Sequence, residues 1–128
     1  MNFKMEYCSF DLDGKEVRFL NAWRDTRNGF AHDSSFRVCG HIHGEATCHY
    51  LNRTWEMYAF QTSMLCAVDN AEKETADIIR VNFKRERGLA QVRGKNKDEL
   101  QALIDSDPDI VFYRKVKDEL RTNCHYSH

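Results

Sequence analysis

The sequence predicts an α+β fold, with an N-terminal antiparallel sheet of about four strands packed by C-terminal helices. Residues 36–43 alternate along the chain, with Phe36, Val38 and Ile42 on one side, as a half-buried strand requires. From residue 52 onward the apolar residues recur at the spacing of amphipathic helices. A chain of 128 residues is long enough for one core and too short for two, so residues 1–128 are expected to form a single domain.

The strands are placed by their flanking turn residues. Asp13-Gly14 is a strong tight-turn signal, and Gly44-Glu45 offers another turn near the end of the alternating segment. A further turn is indicated at 26–29. We therefore predict strands over residues 6–12, 15–23, 36–43 and 46–50.

The helices are placed by capping residues. Asn52 is a candidate N-cap for a helix that buries Trp55 against the sheet, and helical spacing continues over 71–87 until Gly88. Two shorter helices follow. Asn96-x-x-Glu99 has the form of a capping box for a helix that ends near Ser106, and Asp107-Pro108 supplies a cap and an N1 proline for a last helix to about Asn123.

Cysteine usage and hydropathy indicate the compartment. The chain has five cysteines, an odd number, and residues 1–6 contain no apolar stretch that could act as a secretory signal. No run approaches the ~20 apolar residues of a membrane span. We therefore expect a cytoplasmic protein with reduced thiols and no membrane association.

The stretch from residue 39 to residue 49 contains five Cys or His side chains and predicts a metal site. On the predicted strand Cys39, His41 and His43 share one face. A turn at Gly44-Glu45 would place His41 opposite Cys48 on that face, where the ligands would suit a structural, tetrahedral zinc ion. The alternative is that the cysteines are small core residues and the histidines lie at the surface.

A fourth zinc ligand could come from His43 or from the C-terminal tail, where Cys124 and His128 form a second cluster. Gly40-His41-Ile42-His43-Gly44 also resembles the GHxH motif of calcineurin-like phosphoesterases, which implies a metal-dependent hydrolase. The other motifs of that family are missing. No Gly-rich phosphate loop and no G-x-S-x-G motif is present, so we expect a protein that is not an enzyme.

The net charge of −1 is unevenly distributed along the chain. Residues 80–97 carry seven basic residues against Glu86 alone, and acidic regions flank them on both sides. The basic segment could dock on an acidic protein surface or on phosphate, or it could be a solvated helix end. Its candidate partner-binding residues are Arg80, Lys84, Arg85, Arg87, Arg93, Lys95 and Lys97.

The segment Tyr50-Leu-Asn-Arg-Thr-Trp-Glu56, continuing to Met64, resembles a core found in short phage and mobile-element proteins of Gram-positive bacteria. Small proteins of this kind include anti-CRISPR proteins. The resemblance implies an inhibitor that binds a large protein or ribonucleoprotein, such as a type II CRISPR effector nuclease, and blocks its use of DNA. The alternative is a zinc-containing nucleic-acid-binding regulator that uses residues 80–97.

Overall fold

The computed structural model describes residues 3–51 and 56–123. It confirms the α+β fold, because four strands pair antiparallel in the order β1-β2-β3-β4 and three helices follow. The elements are β1 (Phe3–Leu12), β2 (Lys15–Thr26), β3 (Gly29–Val38), β4 (His41–Tyr50), α1 (Glu56–Arg87), α2 (Lys95–Ser106) and α3 (Pro108–Asn123). The described helices contain no stretch that is long and apolar enough to cross a membrane.

The turn between β3 and β4 lies at Cys39-Gly40, so the prediction of one strand over 36–43 is wrong. Cys39 has φ 50° and Gly40 has φ 82°, the left-handed pair that a two-residue hairpin turn requires. Gly44 lies inside β4, where it pairs with Phe36. Glycine is needed there because of close packing and not because of a turn. An ideal Cβ on Gly44 would lie 2.2 Å from the carbonyl oxygen of Ala67 in α1.

A β-bulge interrupts the pairing of β3 with β4. Phe36 pairs with Gly44 and Arg37 pairs with Ile42, so His43 is the extra residue on β4. A bulge bends the strand and changes the direction of a side chain. Here the half-buried His43 imidazole reaches α3, where its Nδ1 lies 2.8 Å from the hydroxyl oxygen of Tyr113.

The helices cover one face of the sheet, and α1 packs mainly on β3 and β4. The largest core cluster joins alternate residues of the strands to α1 and α3, and it includes Phe19, Phe36, Met64, Val116 and Leu120. Burial of these side chains supplies the main driving force for this packing. Helix α3 contributes buried side chains to this packing, among them Tyr113, Val116 and Leu120.

The N-termini of α2 and α3 show which of the predicted helix caps are correct. Asp107 caps α3 as predicted, because its Oδ1 accepts hydrogen bonds from the backbone N–H groups of Asp109 (2.9 Å) and Ile110 (3.1 Å). The predicted capping box at Asn96 is wrong. Gly94 occupies the N-cap of α2 without a side-chain hydrogen bond, and Asn96 Oδ1 instead accepts a hydrogen bond from Arg87.

Helical spacing over 71–87 belongs to the long helix α1, whose described part begins at Glu56. Its final residue is Arg87, directly before Gly88, where the sequence predicts the stop. The predictions that Asn52 caps this helix and that Trp55 is buried lie outside the described residues.

Candidate functional site

A groove of about 550 Å³ lies between the C-terminal half of α1 and helix α2. Its wall combines basic side chains with aliphatic ones, and we call it the basic groove. The lining residues are Arg80, Lys84, Ala90, Gln91, Val92, Lys97, Leu100, Gln101 and Ile104.

The end of α1 creates the groove by reversing the chain. Gly88 has φ 63°, its N–H donates to the carbonyl of Arg85 (3.3 Å), and the N–H of Leu89 donates to the carbonyl of Lys84 (2.9 Å). This pair of hydrogen bonds is the Schellman motif, which needs a left-handed residue directly after the helix. The chain then turns to the start of α2, so both helices contribute to one concave surface.

An apolar cluster holds the two helices together, and its members Leu100 and Ile104 form the floor of the groove. Leu100 and Ile104 of α2 are buried, and they belong to a cluster with Ala76 and Phe83 of α1 and Ile110 of α3. The aliphatic side chain of Val92 packs against the same cluster. The groove is therefore a fixed part of the fold, because separating its walls would expose this cluster.

The three cations of the groove differ in their partners. Arg80 is bound by Asp77 of the preceding turn, with Nη1 and Oδ1 2.8 Å apart. Lys84 and Lys97 have no ion-pair partner among the residues that the structure describes. Two uncompensated lysines on one concave surface make a local positive potential that favours an anionic group.

The other cations of the basic segment do not line the groove. Arg87 forms an ion pair with Glu99, and its guanidinium lies 4.3 Å from the centre of the Phe83 ring. Arg85 donates to Asn82 and Arg93 donates to Gln91, in each case near their own position in the chain. Of the seven predicted partner-binding residues, the structure thus brings together Arg80, Lys84 and Lys97, and it leaves out Arg85, Arg87, Arg93 and Lys95.

The predicted zinc ligands do not converge on β4. His41 pairs with Val38 beside the turn, whereas Cys48 pairs with His32. His41 and Cys48 are seven positions apart on one strand, which is roughly 23 Å at ~3.3 Å per residue. The predicted placement of His41 opposite Cys48 is therefore wrong, because it depended on a turn at Gly44-Glu45.

Cys39 and His43, the remaining candidate ligands that the structure describes, also do not come together at one site. Cys39 is exposed in the turn, and His43 points to Tyr113. Cys124 and His128 lie outside the described residues. Within residues 3–51 and 56–123, no group of three or more His, Cys, Asp or Glu side chains is arranged to hold a metal ion. Zinc binding stays a prediction, but the described residues do not fit the ligand set from which it was derived.

Cys48 belongs to a different cluster, which the sequence analysis missed. The Cys48 thiol interacts with Tyr50 of the same strand and with Cys66 of α1, since it contributes to the pKa shift of each group. Burial, followed by the effect of Cys48, raises the pKa of Tyr50 to about 12 and also raises the pKa of Cys66. The spacing of Thr62, Cys66 and Asn70, which places all three on one helix face, was the available signal for this contact.

Comparison with known proteins identified no relative of this chain. No protein-family model, no curated protein and no solved structure matches the chain.

Proposed function

We propose that this protein is a non-catalytic inhibitor that docks its basic groove on an acidic surface of an RNA-guided nuclease and blocks the use of DNA by that nuclease. The observation that carries the proposal is the combination of an aliphatic floor with Lys84 and Lys97, for which the described part of the chain supplies no ion-pair partner. Such a surface is complementary to a carboxylate-bearing protein segment whose apolar side chains fill the groove. The resemblance of residues 50–64 to small phage and mobile-element proteins supports this class of partner.

The composition of the groove favours a protein over a nucleic acid. Its lining contains aliphatic and polar side chains and no aromatic one. Proteins that hold single-stranded nucleic acids usually stack bases on aromatic rings, and a site that follows the phosphate backbone needs a longer row of cations. Arg85, Arg87 and Arg93 could have extended the row, but they are bonded to neighbouring side chains of this chain.

The proposal is tested with a purified type II nuclease loaded with guide RNA. The wild-type protein should bind this complex and reduce its cleavage of target DNA. The double substitution Lys84→Glu/Lys97→Glu should weaken binding by about tenfold or more, because it places two like charges against the acidic surface. Arg27→Glu/Lys73→Glu is the control, since it makes the same change of charge at exposed positions outside the groove.

Two results would contradict the proposal. Equal inhibition by the groove variant and the control variant would remove the groove from the interface. Tight binding of the protein to DNA alone, with an affinity that falls steeply as salt rises, would instead favour the nucleic-acid-binding alternative.

A further inference from the structure

Helix α1 packs along β4, and two contacts fix how the elements are aligned. At one end Tyr50 packs against the apolar cluster that contains Phe60, and at the other end Asn70 Nδ2 donates to the carbonyl of Glu45 at 2.8 Å. Over the ten residues from 60 to 70 the helix advances about 15 Å, and over the five residues from 50 to 45 the strand advances about 17 Å. The two elements therefore stay in register between these contacts, which places Cys66 beside Cys48. In agreement with this placement, the Cys48 thiol contributes, after burial, to the raised pKa of Cys66.

The backbones of α1 and β4 approach each other closely at Gly44. Gly44 has no side chain, and Ala67 and Ala71 of α1 lie directly over it. Both Cys48 and Cys66 are half-buried, free thiols. A pair of cysteines on packed elements can form a disulfide when their Cα atoms lie within about 7 Å of each other.

We propose that Cys48 and Cys66 are a redox modification site, at which a low-molecular-weight disulfide such as oxidised glutathione converts the two thiols into a disulfide bond between β4 and α1. The site is independent of the proposed inhibitor function. None of the other described cysteines fits this role, because Cys8 is buried in the main core cluster and Cys39 lies in the β3–β4 turn.

The reaction has two thiol–disulfide exchange steps. The Cys48 thiolate first attacks one sulfur of oxidised glutathione, whose S–S bond breaks and releases one glutathione thiolate. Cys66 then loses its proton to solvent and attacks the sulfur of Cys48, and the second glutathione thiolate leaves. Two protein thiols are oxidised and one glutathione disulfide is reduced to two thiols. Cys48 attacks first because burial raises the pKa of Cys66 and keeps its thiol protonated.

The test incubates the whole protein in glutathione buffers of increasing oxidised fraction, followed by alkylation and peptide mapping by mass spectrometry. The wild type should yield a peptide pair joined through Cys48 and Cys66, and its Tm should rise by roughly 10 °C, because the cross-link constrains the unfolded chain. Cys39→Ala should form the same link. Cys66→Ala should stop at glutathione bound to Cys48.

Two outcomes would overturn the proposal. In one, the wild type in the most oxidising buffer carries glutathione on Cys48 or keeps both thiols, without a link between Cys48 and Cys66. In the other, the cysteines join in a different pairing. Peptide mapping of the wild type decides between these outcomes even if Cys66→Ala fails to fold.

Discussion

The Nδ1 atom of His43 lies 2.8 Å from the hydroxyl oxygen of Tyr113, and this contact joins the bulge of β4 to helix α3. With a neutral imidazole, the Tyr113 hydroxyl can donate to Nδ1. A protonated imidazole is a donor at both nitrogens, so the hydroxyl would then have to accept. The rings of His43 and Phe36 also pack together, with centroids 5.9 Å apart. The histidine that the sequence analysis assigned to zinc is thus part of the packing between sheet and helix.

The first prediction concerns the pH dependence of stability. Burial lowers the pKa of His43 below its usual 6.5, His41 and Lys15 act in the same direction, and Asp109 opposes them. As pH falls below about 6.5, the unfolded chain binds a proton at this site that the folded chain resists. The contribution of His43 to stability is therefore complete above this pH and is lost as the pH falls through the lowered pKa.

His43→Gln should reduce this pH dependence, because glutamine keeps polar atoms near Tyr113 but does not titrate. The measurement is the thermal unfolding midpoint from about pH 8 to about pH 5, where the wild type should lose a few degrees more than the variant. His49→Gln, at an exposed position on the same strand, is the matched control. If the unfolding midpoints of the wild type and of His43→Gln fall in parallel as the pH is lowered, His43 has the same pKa in the folded and the unfolded chain, and the prediction is wrong.

The second prediction concerns Gly44. Alanine at this position would bring a Cβ to 2.2 Å from the carbonyl oxygen of Ala67 and 3.1 Å from the Cβ of Ala71, so α1 would have to move away from β4. Overpacking of this kind costs about 3 kcal/mol. Urea denaturation should show this loss for Gly44→Ala and almost none for Gly40→Asn, because asparagine tolerates the left-handed turn position. Equal stability of the two variants would contradict the close approach of α1.

The third prediction concerns an ion-pair network between α1 and α3. Lys117 Nζ lies 2.6 Å from Glu72 and 2.9 Å from Asp69, and only 13% of the lysine side chain is exposed. Glu72→Ala would leave Lys117 with one partner in a partly buried site, at a cost of about 2 kcal/mol. The exposed pair of Arg121 and Asp118 is the control, since Asp118→Ala should change the free energy of unfolding by less than about 0.5 kcal/mol.

Local sequence signals predicted much of this fold. The wrong placement of the β3–β4 turn arose because that turn depends on a contact between residues far apart in the chain. Asp107 and Pro108 fix the start of α3 by themselves, because a cap and an N1 proline act on adjacent backbone groups. The sequence predicted a turn at Gly44, the turn lies at Gly40, and the choice between these glycines depends on a contact more than twenty residues away. Only the approach of Ala67 shows that the glycine at position 44 is needed inside a strand.

The candidate site was predictable to the level of a segment. Charge counting identified residues 80–97, because the imbalance is a property of composition. Which cations are uncompensated depends on partners outside the segment, such as Glu99 beside Arg87. The predicted placement of His41 opposite Cys48 was wrong for the same reason as the hairpin: a shift of the turn by five residues separates the two side chains.

The last prediction separates folding from binding within the basic segment. The Arg87 guanidinium lies over the Phe83 ring, pairs with Glu99 and donates to Asn96, so it joins the end of α1 to α2. Arg87→Glu replaces these attractions by repulsion from Glu99 and should lower the free energy of unfolding by about 1–2 kcal/mol. Lys84→Glu should change it by less than about 0.5 kcal/mol, because Lys84 has no ion-pair partner among the described residues.

The affinity for the nuclease complex should rank the two variants in the opposite order to the free energy of unfolding. Lys84→Glu should weaken the affinity, whereas Arg87→Glu should change it little at temperatures where the variant is folded, since Arg87 does not line the groove. Urea denaturation and calorimetric titration of the same two variants supply both quantities. A loss of affinity in Arg87→Glu as large as that in Lys84→Glu would mean that the whole segment, and not the groove alone, contacts the partner.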